Sequence, residues 1–237
     1  MSKLFRILLA GAAIAAGVLF AASGDAKPES GSGTPEPHSA GDRPPVAEPS
    51  RAVLPCPDGG YLCANVEQVA EIRVRRWTDA PTTLVVHVPV PDFEPPAEAA
   101  RLQSEAAAGI RAWNGHPFPV RVEQKSAERA HFSVRWVPTL PGEAVGVART
   151  TWSSRGGLGV TSIDLATRSP HAPDILVAPD HIRLTAAHEM GHALGLPHSD
   201  STRDVMYPKN TAAALTARDY RSMEALYGLP DGAVLAP

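Results

Sequence analysis

The order of patterns along the chain predicts an α+β domain. Two observations carry this reading. Stretches with strand and helix periodicity follow one another as strand, helix, four strands and two helices, and they fill about 160 residues without an internal repeat. The composition allows such a domain: 43% of the 237 residues are hydrophobic, enough for a real core. A formal charge of −3 provides no basic face for phosphate, so nucleic acid is not an expected partner.

Each element has its own signal. Leu84 to Val90 alternates like a strand, and Pro89 marks an edge or an end. Pro96 to Trp113 places Ala100, Ala107, Ile110 and Trp113 at helical spacing, with Gly115 as a stop. Pro119 to Gln124, His131 to Val137, Ala144 to Trp152 and Val160 to Ala166 have period 2, and Gly156-Gly157 turns between the last two. Asp180 is the expected N-cap of a second helix running to about Leu194. A third helix runs from Leu215-Thr216 to Tyr227, with Gly228 as its stop.

The rest of the chain reads differently. Lys3 and Arg6 precede an apolar run from Ile7 to Ala22 and a small-residue exit, the pattern of a signal peptide over residues 1–23. The run is short of the roughly 20 residues a spanning helix needs, so no membrane span is expected after cleavage. Residues 24–50 hold six Pro, four Gly and four Ser, with Val46 the only branched aliphatic, too little apolar surface to offset ordering. The expected partition is signal peptide 1–23, Pro/Gly/Ser-rich linker 24–66, α+β domain 67–230 and tail 231–237. Within the linker, Cys56 and Cys63 flank Gly59-Gly60, and in an exported chain they most simply form one local disulfide.

The chemistry lies in His188-Glu189-Met190-Gly191-His192. Histidines at i and i+4 share one helical face and can share one metal ion. Neutral imidazole suits Zn²⁺, and Glu189 between them can reach a metal-bound water. His198 could not join them on a continuing helix. It can if the chain turns at Gly195, with Pro197 preventing the helix from resuming.

The run from His188 to His198, H-E-x-x-H-x-x-G-x-x-H, resembles the signature of the metzincin zinc metallopeptidases. Val205-Met206-Tyr207-Pro208 resembles their Met-turn, and Leu215 to Gly228 resembles the C-terminal helix of the matrixin branch. The resemblance implies a twisted, mostly parallel sheet of about five strands with an antiparallel edge strand, three helices, and the active-site helix under the cleft. It implies His188, His192 and His198 as zinc ligands, Glu189 as general base and Met206 as the floor beneath the metal. It further implies that a peptide lies along Ala144 to Trp152, with Pro208 to Ala214 walling the pocket after the scissile bond.

Departures from the family refine this. Pro208 stands where other branches place a tyrosine ligand, which leaves Tyr207 to packing. No histidine lies between Arg149 and Thr167, so a second, structural zinc is not expected and one zinc per chain is. Ca²⁺ stays open, since Asp164, Asp174 and Asp180 have no legible ligand spacing. Arg218 replaces the first of two expected Asp residues and leaves Asp219. Pro55-Cys56-Pro57-Asp58 resembles the matrixin cysteine switch, so Cys56 as an inhibitory zinc ligand stays open beside the disulfide. Asp200 and Asp204 are candidates to orient the histidines. His181 is a candidate to line the cleft, and Arg73, Arg75 and Arg76 read as a solvated strand face.

The expectation is a secreted or cell-envelope, monomeric zinc metalloendopeptidase acting on peptides or proteins. The alternative is a catalytically silent zinc-binding or adhesion module with the same fold. A metallohydrolase acting on a non-protein amide is a further rival. Glu189 argues against the silent module, because a purely structural zinc site needs no base.

Overall fold

The computed structural model describes residues 52–64, 71–79, 81–155 and 157–236. The signal-peptide reading and the linker up to residue 51 lie outside the described residues. Short strands β1 (Val53–Pro55) and β2 (Ile72–Arg73) come first, followed by β3 (Leu84–His87) and helix α1 (Pro96–Arg111). Next come β4 (Val120–Glu123), β5 (Phe132–Val137), β6 (Gly146–Ser153) and β7 (Gly157–Ala166). The hairpin β8 (Arg168–Ser169) and β9 (Ala172–Leu176) leads to α2 (Pro179–Ala193), α3 (Ala217–Gly228) and β10 (Val234–Ala236).

The central sheet has the order β4-β3-β5-β7-β6. Its first four strands are parallel and β6 runs antiparallel to β7, giving a mostly parallel five-stranded sheet with an antiparallel edge. β6 has no strand on its outer side among the described residues. Parallel strands must be covered on both faces. α1 crosses between β3 and β4, and Leu102, Ala106, Ile110 and Trp113 join the common core. α2 packs on α1 and against β6 and β7. A close approach at Gly109 makes the helix pair possible: a Cβ there would fall 2.1 Å from the Arg183 carbonyl oxygen.

α2 is not a surface helix. Ile182 and every residue from Thr185 to Ala193 are buried, so its C-terminal half is enclosed on all sides, while Asp180 and Arg183 in its first turns are exposed. Its start differs from expectation. Ala178 is the N-cap and Pro179 opens the first turn, while Asp180 lies inside that turn and accepts the His181 N–H at 3.0 Å. Pro at the first helical position gives up no hydrogen bond, because that N–H has no partner in any helix. α3 begins on a capping box between Thr216 and Asp219. Gly228 is its last helical residue rather than its stop; Leu229 is already extended, as befits a residue before Pro230.

Two features escaped the sequence patterns. The β8–β9 hairpin is too short to give a periodicity. The chain's two described ends meet in a three-stranded sheet ordered β1-β10-β2, with β1 parallel and β2 antiparallel to β10. Tyr61 and Leu62, before position 67, and Leu235, after position 230, are all buried in the core. Cys56 and Cys63 are joined in a disulfide, so Cys56 holds no thiolate toward a metal. No helix among the described residues is long and apolar enough to cross a membrane.

Candidate metal centre

α2 carries His188 and His192 one turn apart on the same face, both buried. The helix ends at Leu194, and Gly195 takes a φ of +104°, a conformation an L side chain rarely adopts. A Cβ there would also fall 2.1 Å from the Arg75 carbonyl oxygen. Glycine thus serves both the turn and the close approach, and the chain folds back to bring His198 beside His192. One ligand atom from each of the three histidines lies within 4.8 Å of the others.

Backbone carbonyls orient the rings. His188 Nδ1 donates to the Val205 carbonyl at 2.7 Å, and His192 Nδ1 donates to the Leu196 carbonyl at 2.8 Å. A carbonyl can only accept, so both rings carry their proton on Nδ1 and present a bare Nε2. His188 Nε2 is buried without a hydrogen-bond partner. His192 Nε2 and His198 Nε2 stand 3.2 Å apart. Two imidazoles on one tetrahedral zinc would be roughly 3.3 Å apart at their nitrogens. An orphaned lone pair and two facing ring nitrogens are what a cation would satisfy, so the donor set fits zinc. Asp200 and Asp204, offered by the sequence as orienting partners, both pair instead with Arg218.

The electrostatics point the same way. Burial lowers the His188 pKa to about 4, partly opposed by its bond to Val205. Burial likewise holds His192 well below, and His198 below, the ordinary histidine value. All three rings are therefore neutral near pH 7, the form that ligates metal.

Glu189 is fully buried and reaches the edge strand. Its Oε2 accepts the Ala148 N–H of β6 at 2.7 Å, and its Oε1 has no hydrogen-bond partner. Burial pushes its pKa up to about 8; the Ala148 N–H pulls it down and the Asp164 charge adds to the rise. Gly146 permits the contact, since a Cβ there would lie 2.7 Å from Glu189 Cγ. Met206 is fully buried, and a Cβ on Gly191 would fall 2.3 Å from its sulfur, so Met206 packs directly against the turn of α2 between the two histidines.

An open cavity of about 460 Å³ adjoins the centre, lined in part by His192, His198, Pro208, Thr150, Arg73 and Arg75. The two arginines are not a solvated strand face. Their guanidinium carbons lie 5.6 and 6.0 Å from the Trp152 ring. Arg76 donates to the Leu229 carbonyl. His181 sits in the first turn of α2, with its carbonyl near Asn210 and its Nε2 buried without a hydrogen-bond partner; it is not part of the cavity wall. Tyr207 is half-buried, and its N–H donates to the Asp204 carbonyl.

Sequence reasoning missed the partners supplied by main chain, namely the Val205 and Leu196 carbonyls and the Ala148 N–H. No residue type announces them. It also missed Tyr61, whose hydroxyl donates to Asp219 at 3.0 Å behind the centre.

Comparison with known proteins gives a concordant result. The family model Peptidase_M10, Matrixin, matches residues 148–228, which include all three histidines, Glu189 and Met206. Macrophage metalloelastase of Rattus norvegicus is 45% identical over 53 residues, covering 20% of this chain and 11% of that protein. Macrophage metalloelastase of Oryctolagus cuniculus is 44% identical over 54 residues, with the same coverages of 20% and 11%. The matched segment thus spans about a tenth of the length of these relatives.

Proposed function

Since the chain carries a matrixin-type metzincin domain, we propose that it is a secreted zinc-dependent endopeptidase cleaving extended peptides. The observation that carries this reading is the three-histidine centre with a buried carboxylate, Glu189, beside it and an unpaired strand edge alongside. His188, His192 and His198 would hold one zinc ion. When bound, that ion supplies a Lewis acid that polarises the scissile carbonyl and acidifies water.

The chain's own groups supply the rest. A peptide laid antiparallel along β6 gains main-chain hydrogen bonds from the free edge, which holds the scissile bond near Glu189. Glu189 Oε2 is anchored on the Ala148 N–H; with a cation held by the histidines favouring the ionised carboxylate against the effect of burial, Oε1 would take a proton from water and pass it to the leaving amine. Met206 keeps the underside of the centre apolar and dry. Pro208 to Ala214 forms the wall beyond the scissile bond. Secretion is supported by the apolar run at the N-terminus and by a disulfide, which persists in oxidising compartments.

The test is hydrolysis of a mixed peptide library by wild type and Glu189→Ala, with chelator and zinc add-back. Wild type should cleave, lose activity to chelator and regain it with zinc. Glu189→Ala should retain zinc and lose on the order of 10²- to 10⁴-fold in kcat. A fully active variant would remove Glu189 from the mechanism, and a zinc-loaded wild type that cleaves nothing would favour the silent binding module.

A further inference from the structure

Asp219 is fully buried at the start of α3, and its carboxylate ties three segments together. Oδ2 accepts the Thr216 N–H at 2.8 Å, the Thr216 hydroxyl at 2.9 Å and the Val205 N–H at 3.2 Å. Oδ1 accepts the Tyr61 hydroxyl at 3.0 Å. Val205 is also the residue whose carbonyl receives the His188 Nδ1 proton. A continuous series of hydrogen bonds therefore runs from the disulfide loop to a ring of the metal centre.

The loop is closely fitted to α3. The Tyr61 N–H donates to Ser222 Oγ at 3.0 Å. Arg218 and Arg221 donate to the Gly60 and Gly59 carbonyls at 3.2 and 3.1 Å. The Arg218 guanidinium lies 5.3 Å from the Tyr61 ring centre. A Cβ on Gly60 would stand 2.8 Å from Ser222 Oγ, so the loop backbone rests against the helix. The Cys56–Cys63 disulfide closes the loop that presents Tyr61.

We propose that Tyr61 is a positioning residue for His188, acting through Asp219 and the Val205 backbone, whose N–H and carbonyl lie on either side of one Cα, with the disulfide loop as its mount. This rests on the reading of the three histidines as a zinc centre. Metal-ligating histidines depend on the group that receives their other ring proton, because it sets tautomer and ring angle. Here that group is a peptide carbonyl, which can be held only through its own chain. Tyr61 is the donor that holds Asp219 Oδ1, and without it only the Thr216 and Val205 bonds to Oδ2 fix the carboxylate, so its grip on the Val205 N–H loosens. Burial, and then the Asp219 charge, raise the tyrosine's pKa, so the hydroxyl remains a donor throughout the working range.

The test compares Tyr61→Phe with wild type in the full chain, reading zinc retention against a chromophoric chelator. Removing the hydroxyl should weaken zinc retention about three- to tenfold, less than the 10- to 100-fold typical of a partner bonded directly to a ligand. In peptide hydrolysis kcat should fall while KM holds. The double variant Cys56→Ser, Cys63→Ser should shift zinc retention the same way, because it releases the mount and leaves Tyr61 in place. Thr167→Val is the control. It removes another buried hydroxyl-to-carboxylate bond, to Glu94, and should lower Tm without changing zinc retention. A Tyr61→Phe protein with lowered Tm but wild-type zinc retention and kcat would overturn the proposal. The zinc readout is separate from hydrolysis: a wild type that holds zinc but cleaves no peptide overturns the peptidase reading, not this one.

Discussion

Gly195 meets two demands that no other residue type meets together, a φ of +104° and an approach of 2.1 Å between a would-be Cβ and the Arg75 oxygen. Gly195→Ala should cost about 1–3 kcal/mol for the backbone conformation alone, with more from the clash. It should also weaken zinc retention, because this turn delivers His198; thermal melts and chelator competition would check both. Two buried tyrosines give a prediction in pH. Burial raises the pKa of Tyr61 and of Tyr227 above the ordinary tyrosine value. A raised folded-state pKa means stability that is complete below the unfolded value of roughly 10 and is lost as pH rises beyond it, by about 1.4 kcal/mol per pH unit for each tyrosine. Tm should therefore fall steeply above about pH 10. Tyr61→Phe, though less stable at neutral pH, should show a shallower fall. Of the centre's residues, the three histidines, Glu189 and Gly195 could be picked out in the sequence because their types and spacing carry the chemistry, and Met206 through the resemblance of its segment to a Met-turn. Their hydrogen-bond partners could not, because every residue has the same N–H and carbonyl.

At the scale of elements, the three helices begin in different ways. α1 and α2 have no side-chain cap and start on Pro96 and Pro179, whose fixed φ suits the first helical position. α3 instead has a full capping box, in which Thr216 Oγ1 accepts the Asp219 N–H. Thr216→Ala should cost about 1–2 kcal/mol, at the upper end for a cap because the hydroxyl's one proton also serves the carboxylates beside it, Asp219 at 2.9 Å and Asp204 at 3.0 Å. Urea unfolding of the variant would measure it. Long, regular stretches of the chain became elements close to where periodicity put them. Short ones did not: β1, β2, β8 and β10 have two or three residues each, too few for a period to be visible. The N-cap of α2 moved from Asp180 to Ala178 because Pro179 already fits the first helical position.

At the scale of the molecule, the chain's described ends brace the side that holds the three histidines. β10 is the middle strand of β1-β10-β2, and Leu235, 3% exposed, lies in the wall of the cavity beside His192 and His198. Deleting residues 232–237 would strip two strands of their partner and open that wall. The truncated protein should lose several degrees of Tm, as burying one such side chain contributes about 1.5–3 kcal/mol. It should also cleave peptides with a raised KM, while its zinc retention changes little because no ligand or orienting carbonyl is removed. Calorimetry and steady-state kinetics on the same preparation would check the two together.

By itself, the sequence determined the metal chemistry, the class of fold and the helix that presents the histidines. Those depend on side-chain identity at short separations, which spacing records directly. Only the tertiary structure decided that β1 and β2 pair with β10 and that the disulfide loop docks on α3. It alone placed Arg73 and Arg75 over Trp152, and the Asp219 carboxylate between the loop and the peptide that orients His188. These contacts join residues up to 162 positions apart through backbone groups and shape, and no local pattern encodes them.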